Sequence, residues 1–181
     1  METKLKTISK DGIAEAISKV ELYRSLNDPE GAESICEDIL AIEPNHQIAL
    51  RLLGLTITDQ FTGHSSDRYS EAEKRFLSLV DSYERHYYLG LLHERRARAQ
   101  MRGGQTARTL ASSLREAMSL FEEAEKIRPP NNDDAVLRWN RCVRLLEKIG
   151  HSEAETREPS LHDDDTAPVE IMRRPTGRVA G

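Results

Sequence analysis

Apolar positions along this chain recur at helical spacing in segment after segment, separated by breaks rich in Pro, Gly, Asn and Asp. Ile13, Ile17, Val20 and Tyr23 share one face of a first helix, with Asp11 as its expected N-cap. Asn27-Asp28-Pro29-Glu30 is a break and a restart. Asn27 closes one helix, Asp28 caps the next, and Pro29 takes its first position. The second helix carries Ala32, Ile35, Cys36, Ile39 and Leu40 as one stripe and stops at Glu43-Pro44-Asn45. A third, over residues 46–59, is apolar around most of its girth (Ile48, Leu50, Leu52, Leu53, Leu55, Ile57), as expected of a helix packed on two sides. A fourth is expected over 69–82, with Ala72, Phe76, Leu79 and Val80. A fifth begins at 83–86 and is stopped by Gly103-Gly104, and a sixth over 107–127 carries Leu110, Leu114, Ala117, Phe121 and Ala124. Asp133 or Asp134 caps a seventh, with Val136, Trp139, Val143 and Leu146 on one face and Gly150 as its expected end. Nothing reads as a strand, so an all-α chain is expected.

Composition sharpens this in four ways. The chain has 181 residues, 38% apolar and 31% charged, and only 5% aromatic, so its core is expected to be aliphatic. No apolar run approaches the length of a membrane span, and Met1-Glu2-Thr3-Lys4-Leu5-Lys6 leads into no apolar run of a secretory leader. Two cysteines, Cys36 and Cys142, lie far apart on apolar faces. They point to buried thiols rather than a disulfide framework, and to a cytoplasmic protein without membrane contact. The net charge is −5, and residues 151–181 hold seven acids against four arginines. With little there to bury, that segment is expected to be a disordered tail, following a frayed 1–10 and a helical domain over 11–150.

Ala32-x3-Cys36 with Pro44, Leu53-Gly54 with Ile57, Ala72-x3-Phe76, Leu89-Gly90, and Ala117-x3-Phe121 with Pro129 read as one motif written several times. The pattern resembles the tetratricopeptide repeat, W-x2-L-G-x2-Y…A-x3-F…P on about 34 residues. In the first copy Tyr23, Ala32, Cys36 and Pro44 match, with Val20 at the Gly site and Lys19 at the Leu site. The second has Leu50, Leu53, Gly54, Ile57, Ala72 and Phe76, and the third His86, Leu89, Gly90, His93, Ala117, Phe121 and Pro129. The seventh helix is similar to the family's capping helix. Val20 to Gly54 is 34 residues and Gly54 to Gly90 is 36, but extra residues separate Gly54 from Ala72 and Gly90 from Ala117. Whether these insertions, after Phe61 and after Gln100, lengthen helices or form loops is open at this point.

The resemblance implies a right-handed α-α superhelix, a solenoid of about seven helices in three pairs plus a cap. Its concave groove would take a peptide or helix of another protein. Carried over residue by residue, the groove-facing positions are Ile17, Glu21 and Arg24, then Arg51, Leu55 and Thr58, then Tyr87, Leu91 and Glu94, and on the cap Leu137, Arg141 and Arg144. Partner side chains would bury against Leu55, Tyr87 and Leu91, while Arg51, Arg141 and Arg144 fix register, which suits an amphipathic or acidic ligand. The chaperone-binding members grip a terminal carboxylate with Lys and Asn. Here those positions hold Ile17, Glu21, Leu52, Glu84 and Tyr88, so that activity is not expected.

Other constellations compete with the groove. From residue 95 to 115 there are six arginines and no acid, and Arg95, Arg98 and Arg102 share a helical face. With Arg108 and Arg115 they offer an alternative site for nucleic acid, phosphate or another acidic ligand, against the plainer reading of a solvated face. His86 and His93 lie seven apart on one face, but no second ligand pair accompanies them, so no metal and no cofactor is expected. Asp163-Asp164-Asp165 reads as a solvated acid run, and Trp139 as a core residue. No set of residues has the spacing of a catalytic motif, so a non-catalytic scaffold is expected. A homo-oligomeric structural protein, with the groove filled by another copy, is the remaining rival.

Overall fold

The computed structural model describes residues 3–64 and 67–157, the side chains of 152–157 excepted. Among the described residues the chain is all helical: a 3-10 turn at Lys10–Gly12, then α1 (Ile13–Ser25), α2 (Pro29–Ile42), α3 (Gln47–Asp59), α4 (Tyr69–Leu77), α5 (Ser82–Arg102), α6 (Ala107–Lys126) and α7 (Asp134–Arg157). No strand occurs among them.

Local chemistry explains most boundaries. Asp28 Oδ1 accepts from the Gly31 amide at 3.0 Å with Pro29 at the first helical position. His46, Asp81 and Thr106 cap α3, α5 and α6 through side-chain acceptors. Asn27 and Asn131 adopt φ of 60° and 61°, the left-handed turn that asparagine tolerates. Three boundaries differ from the sequence reading. Ser9, not Asp11, caps the start, because a 3-10 turn precedes α1. α4 stops at Leu77, since Asp81 accepts from the Glu84 amide and restarts the chain as α5. α7 runs through Gly150 to Arg157, so residues 151–157 are helical. The rest of the expected tail, 158–181, lies outside the described residues.

The insertion between Gly90 and Ala117 lengthens two helices. α5 has 21 residues and α6 has 20, joined by a short turn at Gly103-Gly104. The earlier insertion is mainly connection between α3 and α4. Asp67 ties the start of that connection, accepting from the amides of Thr62 (2.9 Å) and Gly63 (2.8 Å).

Each helix packs on its neighbours in sequence, and the odd-numbered helices also touch one another in order, α1 on α3, α3 on α5, α5 on α7. Fully buried Ile39, Leu53, Ile57, Phe76, Leu92, Leu114 and Phe121 anchor one continuous core. Close approach is set at two glycines. A Cβ on Gly54 would lie 2.4 Å from the Phe76 ring, and one on Gly90 would lie 2.8 Å from the Phe121 ring. Only glycine lets those rings press onto the facing helix backbone. At the equivalent places of α1 and α2, Val20 and Cys36 are both fully buried, so the bulk is shifted from one helix to the other.

Candidate functional site

Contacts between odd-numbered helices set their direction. Arg51 on α3 meets Glu84 on α5 at 2.5 Å, Arg95 reaches Leu55, Thr58 and Asp59, and Arg102 donates to the Phe61 carbonyl at 3.3 Å. Residue numbers rise together on both helices, so α3 and α5 run parallel. The same holds for α5 and α7, where Arg138 meets Tyr87 and Glu94, and Arg141 meets Glu94. The odd helices therefore form a wall in which the C-terminal ends of α1 and α3 lie beside the second half of α5, and the first turns of α7 lie beside its middle.

The two halves of this wall differ. The N-terminal half of α5 is aromatic. Tyr83 stacks on Tyr87 with centroids 5.9 Å apart, Tyr87 meets Tyr88 edge-on at 5.1 Å, and Arg51 sits over the Tyr88 ring. The C-terminal half is cationic. Arg24 donates to Asp59 at 2.8 Å, and Arg95 pairs with the other oxygen of the same carboxylate while donating to Thr58 Oγ1 at 2.7 Å. Glu94 is 0% exposed and lies between Arg138 (3.5 Å) and Arg141 (3.3 Å). Its Oε1 has no aligned hydrogen-bond donor, although Arg141 Nε is close to it. Burial pulls the Arg95 guanidinium below its ordinary pKa, against the opposing pull of Asp59. Burial and then the neighbouring Arg141 charge do the same to Arg98.

The twelve groove positions expected from sequence separate into groups. Arg24, Thr58, Glu94 and Arg141 join the cationic network, together with Arg95. Arg51 and Tyr87 belong to the aromatic half. Leu137 is 62% exposed and shares a face of α7 with Arg141 and Arg144. Glu21 lines a cavity of about 420 Å³ with Arg24 and Asp59, and Ile17 is half-buried against the core. Leu55 and Leu91 differ from the expectation. They are 9% and 3% exposed, sealed in the protein's own core, and offer almost no surface to a partner. Asp59 and Arg138 were not singled out in the sequence. The signal for Arg138 was present, since it sits one turn before Arg141 on the same face.

The basic stretch over residues 95–115 is divided by the turn at Gly103-Gly104. Arg95, Arg98 and Arg102 belong to the wall, whereas Arg108 and Arg115 line a separate cavity of about 310 Å³ with Leu146 and Ile149 of α7. Arg96 leaves both groups and lies 4.4 Å above the Tyr69 ring.

A second polar cluster joins α4, α5 and α6. Tyr69 Oη lies 3.0 Å from His93 Nε2, and His93 Nδ1 lies 3.0 Å from Glu116. It has the outline of a proton relay, but burial pushes the Tyr69 phenol up to about 12 and holds His93 below its usual value. Such a phenol is not activated for attack. His86 does not join His93: its Nδ1 is 2.7 Å from the Ser82 carbonyl oxygen. Among the described residues no three His, Cys, Asp or Glu side chains converge as metal ligands. Cys36 and Cys142 are buried, and burial pushes both thiols up to about 12, which suppresses the reactive thiolate. No helix among the described residues is long and apolar enough to cross a membrane.

Comparison with family models, with curated proteins and with solved structures returns no match for this chain.

Proposed function

We propose that this chain is a non-catalytic protein–protein interaction scaffold, a short tetratricopeptide-like solenoid that holds a peptide or helix of a partner along the wall of α1, α3, α5 and α7. The observation that carries the reading is the order of contacts: odd helices touch odd helices in series, and their side chains make one surface that changes from tyrosine to arginine along its length. The Gly54–Phe76 and Gly90–Phe121 approaches support the family likeness, because they fall on the Gly and Phe positions of the motif. Partner contact is carried by Tyr87, Leu137, Arg141 and Arg144 rather than by the buried leucines. The rival reading as a nucleic-acid surface has less support, since Arg108 and Arg115 stand apart from Arg95, Arg98 and Arg102.

The test is selection of binders from a random peptide library on the full-length chain, followed by mapping of amide chemical-shift changes. Shifts confined to α1, α3, α5 and α7 are expected. Absence of any peptide binder, or shifts centred on α2, α4 and α6, refutes the reading.

A further inference from the structure

Each carboxylate in the cationic half of the wall is bracketed by two arginines. Asp59 takes Arg24 from α1 and Arg95 from α5, and Glu94 takes Arg138 and Arg141 from α7. Arg98 and Arg102 continue the row along α5, and there the alternation lacks its acid. Arg98 makes no hydrogen bond or ion pair among the described residues. It lies one turn after Glu94, which Arg141 contacts, and one turn before Arg102 on α5, and the charges of Arg141, Arg102 and Arg95 around it are offset by Glu94. Glu94 already serves Arg138 and Arg141. Arg102 has one hydrogen bond, to the Phe61 carbonyl. The negative ends of helices favour Arg24 and Arg102, each in a last turn, but do nothing for Arg98 or Arg141 in helix interiors.

We propose that Arg98, Arg102 and Arg141 form the docking site for a carboxylate of an acidic peptide segment of a partner protein, completing a third arginine–carboxylate–arginine bridge on the wall. This rests on the scaffold reading and names the chemistry of its ligand. A carboxylate fits better than a nucleic-acid phosphate for two reasons. The wall already repeats the pairing of a carboxylate with two arginines, at Asp59 and at Glu94. On α5 the rings, Tyr83, Tyr87 and Tyr88, are on earlier turns than Arg98 and Arg102, and Trp139 of α7 donates to Glu122 of α6, so α5 interleaves no stacking platform for bases with these arginines.

The probe is a short fluorescent Asp/Glu-rich peptide, titrated against the full-length chain by anisotropy, with a Lys-rich peptide and an oligothymidylate of equal length alongside. The acidic peptide is expected to bind and the Lys-rich one not to. Arg98→Glu and Arg102→Glu are each expected to weaken binding at least about tenfold. Arg98→Lys, which keeps the charge and loses the fork, should weaken it less. The melting temperature should stay near that of the parent, because Arg98 holds nothing in the folded chain. Arg108→Glu is the charge-matched control and should leave affinity unchanged.

Four results overturn the proposal. Equal binding by the parent, Arg98→Glu and Arg102→Glu removes the site. An equal loss in Arg108→Glu makes the effect one of overall charge. Tighter binding of oligothymidylate, lost in Arg98→Glu, makes the ligand a phosphate. Binding that tightens about tenfold when Asp163, Asp164 and Asp165, outside the described residues, are changed to Asn in the full chain assigns the site to its own acids. If Arg98 and Arg102 are dispensable while other peptides still bind the odd helices, this inference falls and the scaffold reading stands. If no peptide binds at all, both fall.

Discussion

Gly54 and Gly90 face the rings of Phe76 and Phe121 so closely that a single methyl decides whether their helices fit. A Cβ on Gly54 would lie 2.4 Å from a carbon of the Phe76 ring, and Phe76 is fully buried, so the ring cannot swing out into solvent. Gly54→Ala is therefore expected to destabilise the chain by about 1–3 kcal/mol, as overpacking does, despite the higher helix propensity of alanine. Phe76→Leu in the same chain should recover part of the loss, so the double variant is less destabilised than the two single changes added together. Urea unfolding of the four chains measures this, and strict additivity would mean that the two residues do not press on one another. At the same scale Leu55 and Leu91 show what position alone conceals. They occupy helix positions that resemblance assigns to a groove, yet they are buried, and Arg95 lies across Leu55 and Thr58 with hydrogen bonds to the Leu55 carbonyl and Thr58 Oγ1.

Elements were legible where periodicity and capping agreed. Asp28-Pro29 marks the start of α2 by chemistry that acts within one turn, and the girdle of apolar residues in α3 announces a doubly packed helix. The wall network was not legible. Arg24 and Asp59 are 35 residues apart and Arg95 and Asp59 are 36 apart, so their meeting depends on the register between helices, which no local pattern carries. Gly150 misled for a related reason: glycine after a periodic run reads as a stop, but here its backbone stays helical and empty space surrounds the place of its missing side chain. Gly150→Ala should accordingly raise stability by about 0.5–1 kcal/mol, and a loss in thermal or urea unfolding would mean that the helix ends there after all. The ion pairs between α2 and the start of α4 give a pH signature. Arg68 hydrogen-bonds both Glu33 and Glu71, and that bond first of all holds each carboxyl below its ordinary pKa. A lowered folded-state pKa contributes stability that is present above the unfolded carboxyl value near 4.5 and is lost as pH falls through the folded one. The melting temperature should thus drop as pH is lowered from about 5 toward 3, and Glu33→Gln with Glu71→Gln should flatten that slope. An unchanged slope would show that Arg68 is solvated at all pH values, which its 41% exposed side chain makes the competing outcome.

At the scale of the whole molecule the decisive fact is how contacts are distributed. Packing joins each helix to the next, and each odd-numbered helix to the next odd one, and among the described residues no substantial packing joins α1 or α2 to α5, α6 or α7. Stability in such an arrangement is a sum of neighbour terms rather than the property of one centre, so damage at one end need not propagate. Val20 is fully buried on α1, and Val20→Ala removes packing that α1 shares with its neighbours. In native-state hydrogen exchange this variant should lose protection in α1 and α2 while amides of α6, beneath Phe121 and Leu114, keep theirs. Uniform loss across all seven described helices would instead mean a single cooperative globule. The wall would then be one side of a closed core, and the end-to-end surface on which the proposed peptide lies would have no separate existence.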